Sequence, residues 1–249
     1  MMAEINSSEN YWRSRAERYD NLEWVNSTDF AQAIVTAGRF RSTDHVLDVG
    51  TGTGVMARVL SPIVRKVTAI DSSPDMMGKV NGSFDNVEYR VCDARVMPWR
   101  SGTFNKVVAR YVFHHILEGA QKAMNECYRV LKIGGRMVFA EGVPPSDRTY
   151  QDFVDIFRLK EKRLTFMPLD MRRLLLASGF DHVEVKDLWL RQMSVKNWLD
   201  SSDLDTARKT LIFRMHECAP DYFRDDYNMT ITDSDCLIDM RIAVAVGVK

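Results

Sequence analysis

The sequence lacks most of the features that would place it at a glance. It has no excess of charge, with 34 Lys and Arg against 34 Asp and Glu in 249 residues. A protein whose affinity comes from neutralising many phosphates usually carries a basic surplus. The balance therefore argues against a nucleic-acid partner, although not against a local basic patch. Cysteine is scarce, and Cys92, Cys127, Cys218 and Cys236 form no CxxC pair and no Cys/His cluster at zinc spacing. Buried thiols in a reducing compartment are expected. The start, MMAEINSSEN, has no basic stretch followed by an apolar run, so no signal peptide is expected. No window approaches the roughly 20 apolar residues of a membrane span. The longest apolar stretch, around 243–246, suits a buried strand, and a cytoplasmic location is the default.

What is present is an ordinary globular composition, 45% apolar and 27% charged. The length suits one α/β domain with insertions, or a tight pair of small domains. From about residue 28 to 141, helix-like and strand-like runs alternate. Helices are expected over 29–40, 56–60, 74–80 and 117–131, the last closed by Gly134 and Gly135. Strands are expected over 45–49, 65–70, 87–91, 104–109 and 136–140. Such alternation means βαβ units and a parallel sheet. Residues 148–163 are amphipathic and heavily charged. A helix over 169–178 capped by Gly179 leads into a strand over 183–190. Residues 194–235 mix aromatic and Met residues with many charges, and a final apolar strand occupies 236–248.

The sharpest motif follows the first strand: Asp48, Gly50, Gly52 and Gly54, in the pattern DxGxGxG. Glycines there let the backbone turn tightly and approach a ligand, and the following helix start offers free N–H groups. A dinucleotide site would place its third glycine or alanine three positions after the second. That position is Val55, which makes an NAD-dependent dehydrogenase a poor reading. A second acid, Asp71, comes 17 residues after Gly54 at the end of a strand, where a carboxylate can accept both ribose hydroxyls. A third, Asp93, sits beside the small Ala94, suited to an exocyclic amine and a flat ring. Each acid alone suits a cap or turn. Three at consecutive strand ends point to one crevice above the sheet.

With these residues the chain resembles the class I S-adenosylmethionine (SAM)-dependent methyltransferases, in the broad group that includes the ubiquinone/menaquinone C-methyltransferases. The resemblance rests on residues 46–54, on 69–71, on 91–94 with 104–108, and on the run ECYRVLKIGG at 126–135. It covers about residues 10–141 and resumes weakly over 169–190. Asn105 departs from the usual Asp, at the start of a strand away from the ligand. The resemblance implies a doubly wound, Rossmann-like α/β sheet of seven strands, in the order 3-2-1-4-5-7-6 with the last antiparallel. It implies SAM as cofactor and S-adenosylhomocysteine as product, bound by one domain. That domain would comprise lid and entry helices (1–40), a SAM-binding core (41–141) and substrate-side insertions (142–168 and 194–235). Gly50, Thr51 and Gly52 would lie against the methionine part, with Asp48 helping its amino group. Asp71 would hold the ribose, Ser72 and Met76 would line the adenine, and Asp93 and Ala94 would meet its edge. Arg110 would face the methionine end. Tyr11, Arg15 and Tyr19 belong to a stretch like the family's lid helix, although packing alone suits both tyrosines.

Methyl transfer needs alignment, and a base where the acceptor is protonated. His114 and His115 follow the fourth strand where an acceptor should approach, and either a catalytic or a pocket-lining role fits them. His115 is the better placed, and His216 is a distant rival. The charged run at 158–163 (RLKEKR) reads as a solvated helix face, or else as a contact for an anionic acceptor. Residues 194–235 suit a cap over the acceptor, an added helix at the sheet edge, or an oligomer interface such as a homodimer's. No dedicated metal site is recognisable, so no metal is expected. The leading expectation is an enzyme that methylates a small-molecule or lipid-like acceptor. An RNA or protein methyltransferase and a SAM-binding module without transfer activity are the alternatives. The neutral charge and the run RYVF at 110–113, where an adenine amino-methylase would carry an NPPY-type motif, count against an RNA acceptor.

Overall fold

The computed structural model describes residues 8–249 apart from Asn81. The stretch 1–7, which falls within the segment expected to carry no signal peptide, lies outside the described residues. An entry segment of α1 (Ser8–Ala16), two 3-10 turns and α2 (Thr28–Gly38) leads into β1 (His45–Val49). Then follow α3 (Val55–Leu60), β2 (Lys66–Asp71), α4 (Pro74–Met77), β3 (Val87–Val91), β4 (Phe104–Arg110), α5 (Ala120–Val130) and β5 (Leu131–Gly142). The second half runs α6 (Tyr150–Lys160), α7 (Pro168–Ala177), β6 (Asp181–Ser194), α8 (Val195–Asp200), α9 (Thr206–Glu217), α10 (Asp221–Asp226), β7 (Thr230–Ile231) and β8 (Cys236–Val248).

Strands β1 to β5 are parallel, and β8 lies antiparallel between β5 and β6, in the order β3-β2-β1-β4-β5-β8-β6. This is the expected seven-strand order. The two-residue β7 adds an eighth strand by pairing with Leu237 and Cys236. Alternate residues of each strand feed two cores, one on each face, because successive side chains in a strand point to opposite sides. Leu47, Ile70 and Val107 enter one core, and Val46, Val67 and Val108 the other. A third core joins Ile156 of α6 to Val195, Leu199, Ile212 and Phe223 of the late helices.

Several boundaries differ from the sequence expectation. β5 starts at Leu131 rather than 136, because Gly134 takes φ +73 and the strand continues through the glycine pair. A register shift between Phe104 and Lys106 absorbs the irregularity. α4 stops at Met77, although its start is as expected: Ser73 Oγ accepts from the Met76 N–H at 3.3 Å and Pro74 opens the helix. Asn105 ties β4 to β1, since its Oδ1 accepts from the His45 N–H at 2.9 Å. Cys127 and Cys236 are buried and Cys92 half-buried, but Cys218 is exposed at the end of α9, against the expectation of burial. All four are free thiols. Among the described residues no helix is long and apolar enough to cross a membrane.

Register places the site. Val49 pairs with Ile70 and with Ala109, Asp71 with Val91, and Arg110 with Ala140. The residues following these strands therefore stand abreast along one edge of the sheet.

Candidate active site

At the end of β1 the chain folds back through Gly50 (φ +64) and Gly52 (φ +58). Both lie in the left-handed region that favours glycine. A Cβ at Gly50 would sit 2.3 Å from Val112 Cγ2, and one at Gly52 would sit 3.2 Å from Met76 Cε. The turn is pinned from both sides. The Thr51 N–H donates to the Ile70 carbonyl at 2.9 Å, and the Gly52 N–H donates to Asp71 Oδ2 at 2.9 Å. Asp71 Oδ1 accepts from the Ser73 N–H at 2.9 Å. Burial raises the Asp71 carboxyl, against these backbone hydrogen bonds. Asp48 lies deeper, where burial pushes it up to about 7 although the Thr51 hydroxyl donates to it at 2.7 Å.

Above this turn opens a cavity of about 570 Å³. Gly50, Gly52, Asp71, Ser72, Met76, Asp93 and Ala94 line it, as do Arg15 and Tyr19 from the entry segment. His114 and His115 line it as well. Four candidates stand behind the walls: Tyr11, Asp48, Thr51 and Arg110. Asp93 reaches the cavity with its carboxylate already held by Arg95, whose Nη2 lies 2.7 Å away and keeps the acid below its usual range.

Arg110 is not among the residues lining this cavity. Its guanidinium donates to the carbonyls of Trp24 and Val25 at 2.9 and 2.7 Å and lies over the Phe30 ring. The carbonyls of the short turn before α2 draw it under the entry segment. Tyr11 also works from behind. It donates to Glu161, while Arg15 Nη1 reaches the same carboxylate at 3.0 Å. Trp12 meets the His115 ring edge-on with centroids 4.6 Å apart. These contacts hold α1 against the cavity, with Trp12 and Arg15 in its wall.

Glu141, at the end of β5, carries no signal in the sequence that would single it out. It is fully buried, and its Oε1 accepts from the N–H groups of Phe113 at 2.7 Å, Val112 at 3.1 Å and His114 at 3.3 Å. Its Oε2 meets His114 Nδ1 at 2.5 Å. Burial pushes Glu141 up to about 7. Burial also holds both imidazoles well below their ordinary value, helped by Arg163 at His114 and by His114 at His115. Both histidines are therefore neutral near pH 7. His216 lines a smaller adjoining cavity instead, with Nδ1 at 2.8 Å from the Ile212 carbonyl.

The run at 158–163 is only partly a solvated face. Arg158 and Lys162 are exposed, but Lys160, Glu161 and Arg163 have side chains no more than 5% exposed and line the cavity. The cause is local. α6 ends at Lys160, Glu161 is extended (φ −158, ψ 157), and alternation then turns 161 and 163 inward and 162 outward. Burial opposes ionisation of Glu161, but Lys160 and Arg15 outweigh it and hold the acid well below its usual range. Burial, with Arg15 nearby, pushes Lys160 down to about 8. Trp198 of α8, within the 194–235 segment, also lines the cavity.

His114, His115 and Glu161 offer ligand atoms within 4.8 Å of one another, a spacing that can hold a metal ion. Glu161 is already engaged by Arg15, Lys160 and Tyr11, and His114 Nδ1 by Glu141. Three cations beside the cluster oppose a further one.

Residues 47–139 match the model of the methyltransferase domain family. The uncharacterized methyltransferase YcgJ of Bacillus subtilis is 25% identical over 242 residues, 92% of each chain. Its crystal structure matches with a TM-score of 0.77 at 23% identity, covering 89% of this chain and 97% of that one. The ubiquinone/menaquinone biosynthesis C-methyltransferase of Desulfotalea psychrophila is 34% identical over 150 residues, 57% of this chain and 61% of its own length. A phosphoethanolamine N-methyltransferase of Haemonchus contortus, solved in complex with S-adenosyl-L-methionine, shares the fold over 99% of this chain and 60% of that one. Its TM-score is 0.67 at 17% identity. Residues 47–139 thus carry the methyltransferase-domain match, and the chain is similar to YcgJ along nearly the whole length of both.

Proposed function

We propose that the chain transfers a methyl group from SAM to a small-molecule acceptor held under the lid. The observation that carries this reading is the shared cavity. The glycine turn, Asp71 and Asp93 with Ala94 line one part of it, and the two histidines with Lys160, Arg163 and Trp198 line another. The residues fit the donor. A side chain at Gly52 would intrude toward Met76, the Asp71 carboxylate suits a ribose diol, and Ala94 leaves room for a flat ring. The complex of the Haemonchus contortus enzyme with SAM supports the same assignment.

SAM, when bound, would supply an electrophilic methyl group on a sulfonium, whose sulfur keeps the electron pair of the broken carbon–sulfur bond in S-adenosylhomocysteine. The chain's part is alignment and exclusion of water. Gly50 and Gly52 let the backbone approach, Asp71 orients the ribose, and α1 closes the top through Trp12 and Arg15. The acceptor's lone pair forms the new bond to the methyl carbon as the carbon–sulfur bond breaks. Where the acceptor atom carries a proton, His115 is the candidate to take it, being neutral and at the cavity wall.

Methyl-tritiated SAM incubated with the protein and fractionated cell extract tests the acceptor class. Label in the small-molecule fraction is expected, and label confined to RNA or protein would overturn the reading.

A further inference from the structure

Lys160, Arg163 and Arg15 converge on a single carboxylate. Glu161 accepts from Lys160 Nζ at 2.9 Å and Arg15 Nη1 at 3.0 Å, and lies 3.6 Å from Arg163 Nη1. The side chains are 4%, 11% and 5% exposed for the three cations and 4% for Glu161. Three buried positive charges thus share one negative charge. Lys160 and Arg163 otherwise rest on aromatic faces, with Arg163 4.2 Å from the Phe157 centroid and Lys160 5.4 Å from that of Trp198. Aromatic faces stabilise a cation without using its N–H groups. Arg163 Nε donates to the Leu164 carbonyl at 3.2 Å, but Nη2 is buried without a partner, as is Arg15 Nε. An unmatched buried cation is costly, and a charged partner removes most of that cost.

The other ionisable groups facing this wall do not supply the missing charge. His114 and His115 are neutral or cationic but never anionic, and Glu141 is turned to His114 and the backbone N–H groups behind it. The other acids of the cavity, Asp71, Asp75, Asp93 and Glu118, lie at the end of β2 or in the segments that follow β2, β3 and β4. Arg163, Tyr111, Phe157, Trp198 and Met240 also border the adjoining apolar cavity of about 70 Å³, which Phe153, Ile156 and Val195 close off.

We infer that the acceptor is an oxyanion, a carboxylate or phosphate, seated on Arg163 and Lys160 with a short apolar group in the adjoining cavity. This deepens the methyltransferase reading and rests on it. Guanidinium offers paired N–H donors that match either oxyanion. An uncharged acceptor of the same shape would leave the surplus positive charge unmatched.

The test uses the full chain saturated with S-adenosylhomocysteine and titrated calorimetrically with benzoate, phenyl phosphate and the uncharged benzamide. At least one of the two anions is expected to bind about tenfold or more tightly than benzamide. Arg163→Met is expected to remove that preference while keeping the rise in Tm caused by S-adenosylhomocysteine. Equal binding of all three probes by a chain that takes up S-adenosylhomocysteine would overturn the oxyanion inference and leave the methyltransferase reading standing. An anion preference unchanged in Arg163→Met would overturn it as well. No rise in Tm with S-adenosylhomocysteine in the wild-type chain would overturn the underlying reading. Should Arg163→Met not fold, the comparison of probes on the wild-type chain decides.

Discussion

Arg15 and Glu161, 146 positions apart, meet at 3.0 Å and fasten the first helix to the segment that follows α6. The pair has little access to water, with side chains 11% and 4% exposed. Removing the carboxylate would leave three neighbouring cations without their shared partner. Breaking one side of a buried pair costs about 3–5 kcal/mol. Glu161→Ala is therefore expected to lower Tm by many degrees, and Glu161→Gln by less, because the amide oxygen still accepts. Thermal unfolding of both variants measures this, and a Tm equal to wild type in Glu161→Ala would contradict it.

Gly52 and Gly134 separate a site effect from a backbone effect. Both take positive φ, +58 and +73, so alanine at either should cost about 1–2 kcal/mol. A Cβ at Gly134 meets nothing within 4 Å, whereas one at Gly52 comes 3.2 Å from Met76 Cε within the cavity. Both variants should lose stability. Only Gly52→Ala should also lose the rise in Tm caused by S-adenosylhomocysteine, and an equal rise in both variants would refute the placement.

Asp48 gives a pH dependence with a definite sign. Its carboxyl is raised from 3.8 to about 7 by burial. The native chain then holds a proton that the unfolded chain releases between about pH 4 and 7. This contribution is complete below the lower value and is lost as pH rises through the higher one. Asp48→Asn removes the penalty and can still accept from Thr51. Its Tm relative to wild type should rise from about pH 5 to about pH 8, and a difference that stays flat or falls would contradict the assignment.

How much of this was legible in the sequence follows from the range of each interaction. The glycine turn, Asp71 and Asp93 are local features of strand ends, and parallel strands in register bring them to one edge. Lys160, Glu161 and Arg163 sit in a mixed-charge run that by itself reads as solvated. Their burial depends on Tyr11 and Arg15 from the far end of the chain and on the extended backbone at Glu161. Glu141 was illegible for a related reason, since an acid at the end of a strand shows its role only when the Val112–His114 backbone folds over it. Arg110 ends β4, and that its side chain follows the carbonyls of Trp24 and Val25 depends on the entry segment folding over it.

The most direct test of the account is a calorimetric titration of SAM into the wild-type chain and into Asp71→Asn. Asp71 lies at the cavity wall with both oxygens poised by the Gly52 and Ser73 N–H groups. An amide loses one acceptor position and the charge, which together should weaken binding about tenfold or more. Saturable binding to wild type and that loss in the variant are predicted. No saturable binding to wild type, or the same affinity in both, would contradict the account.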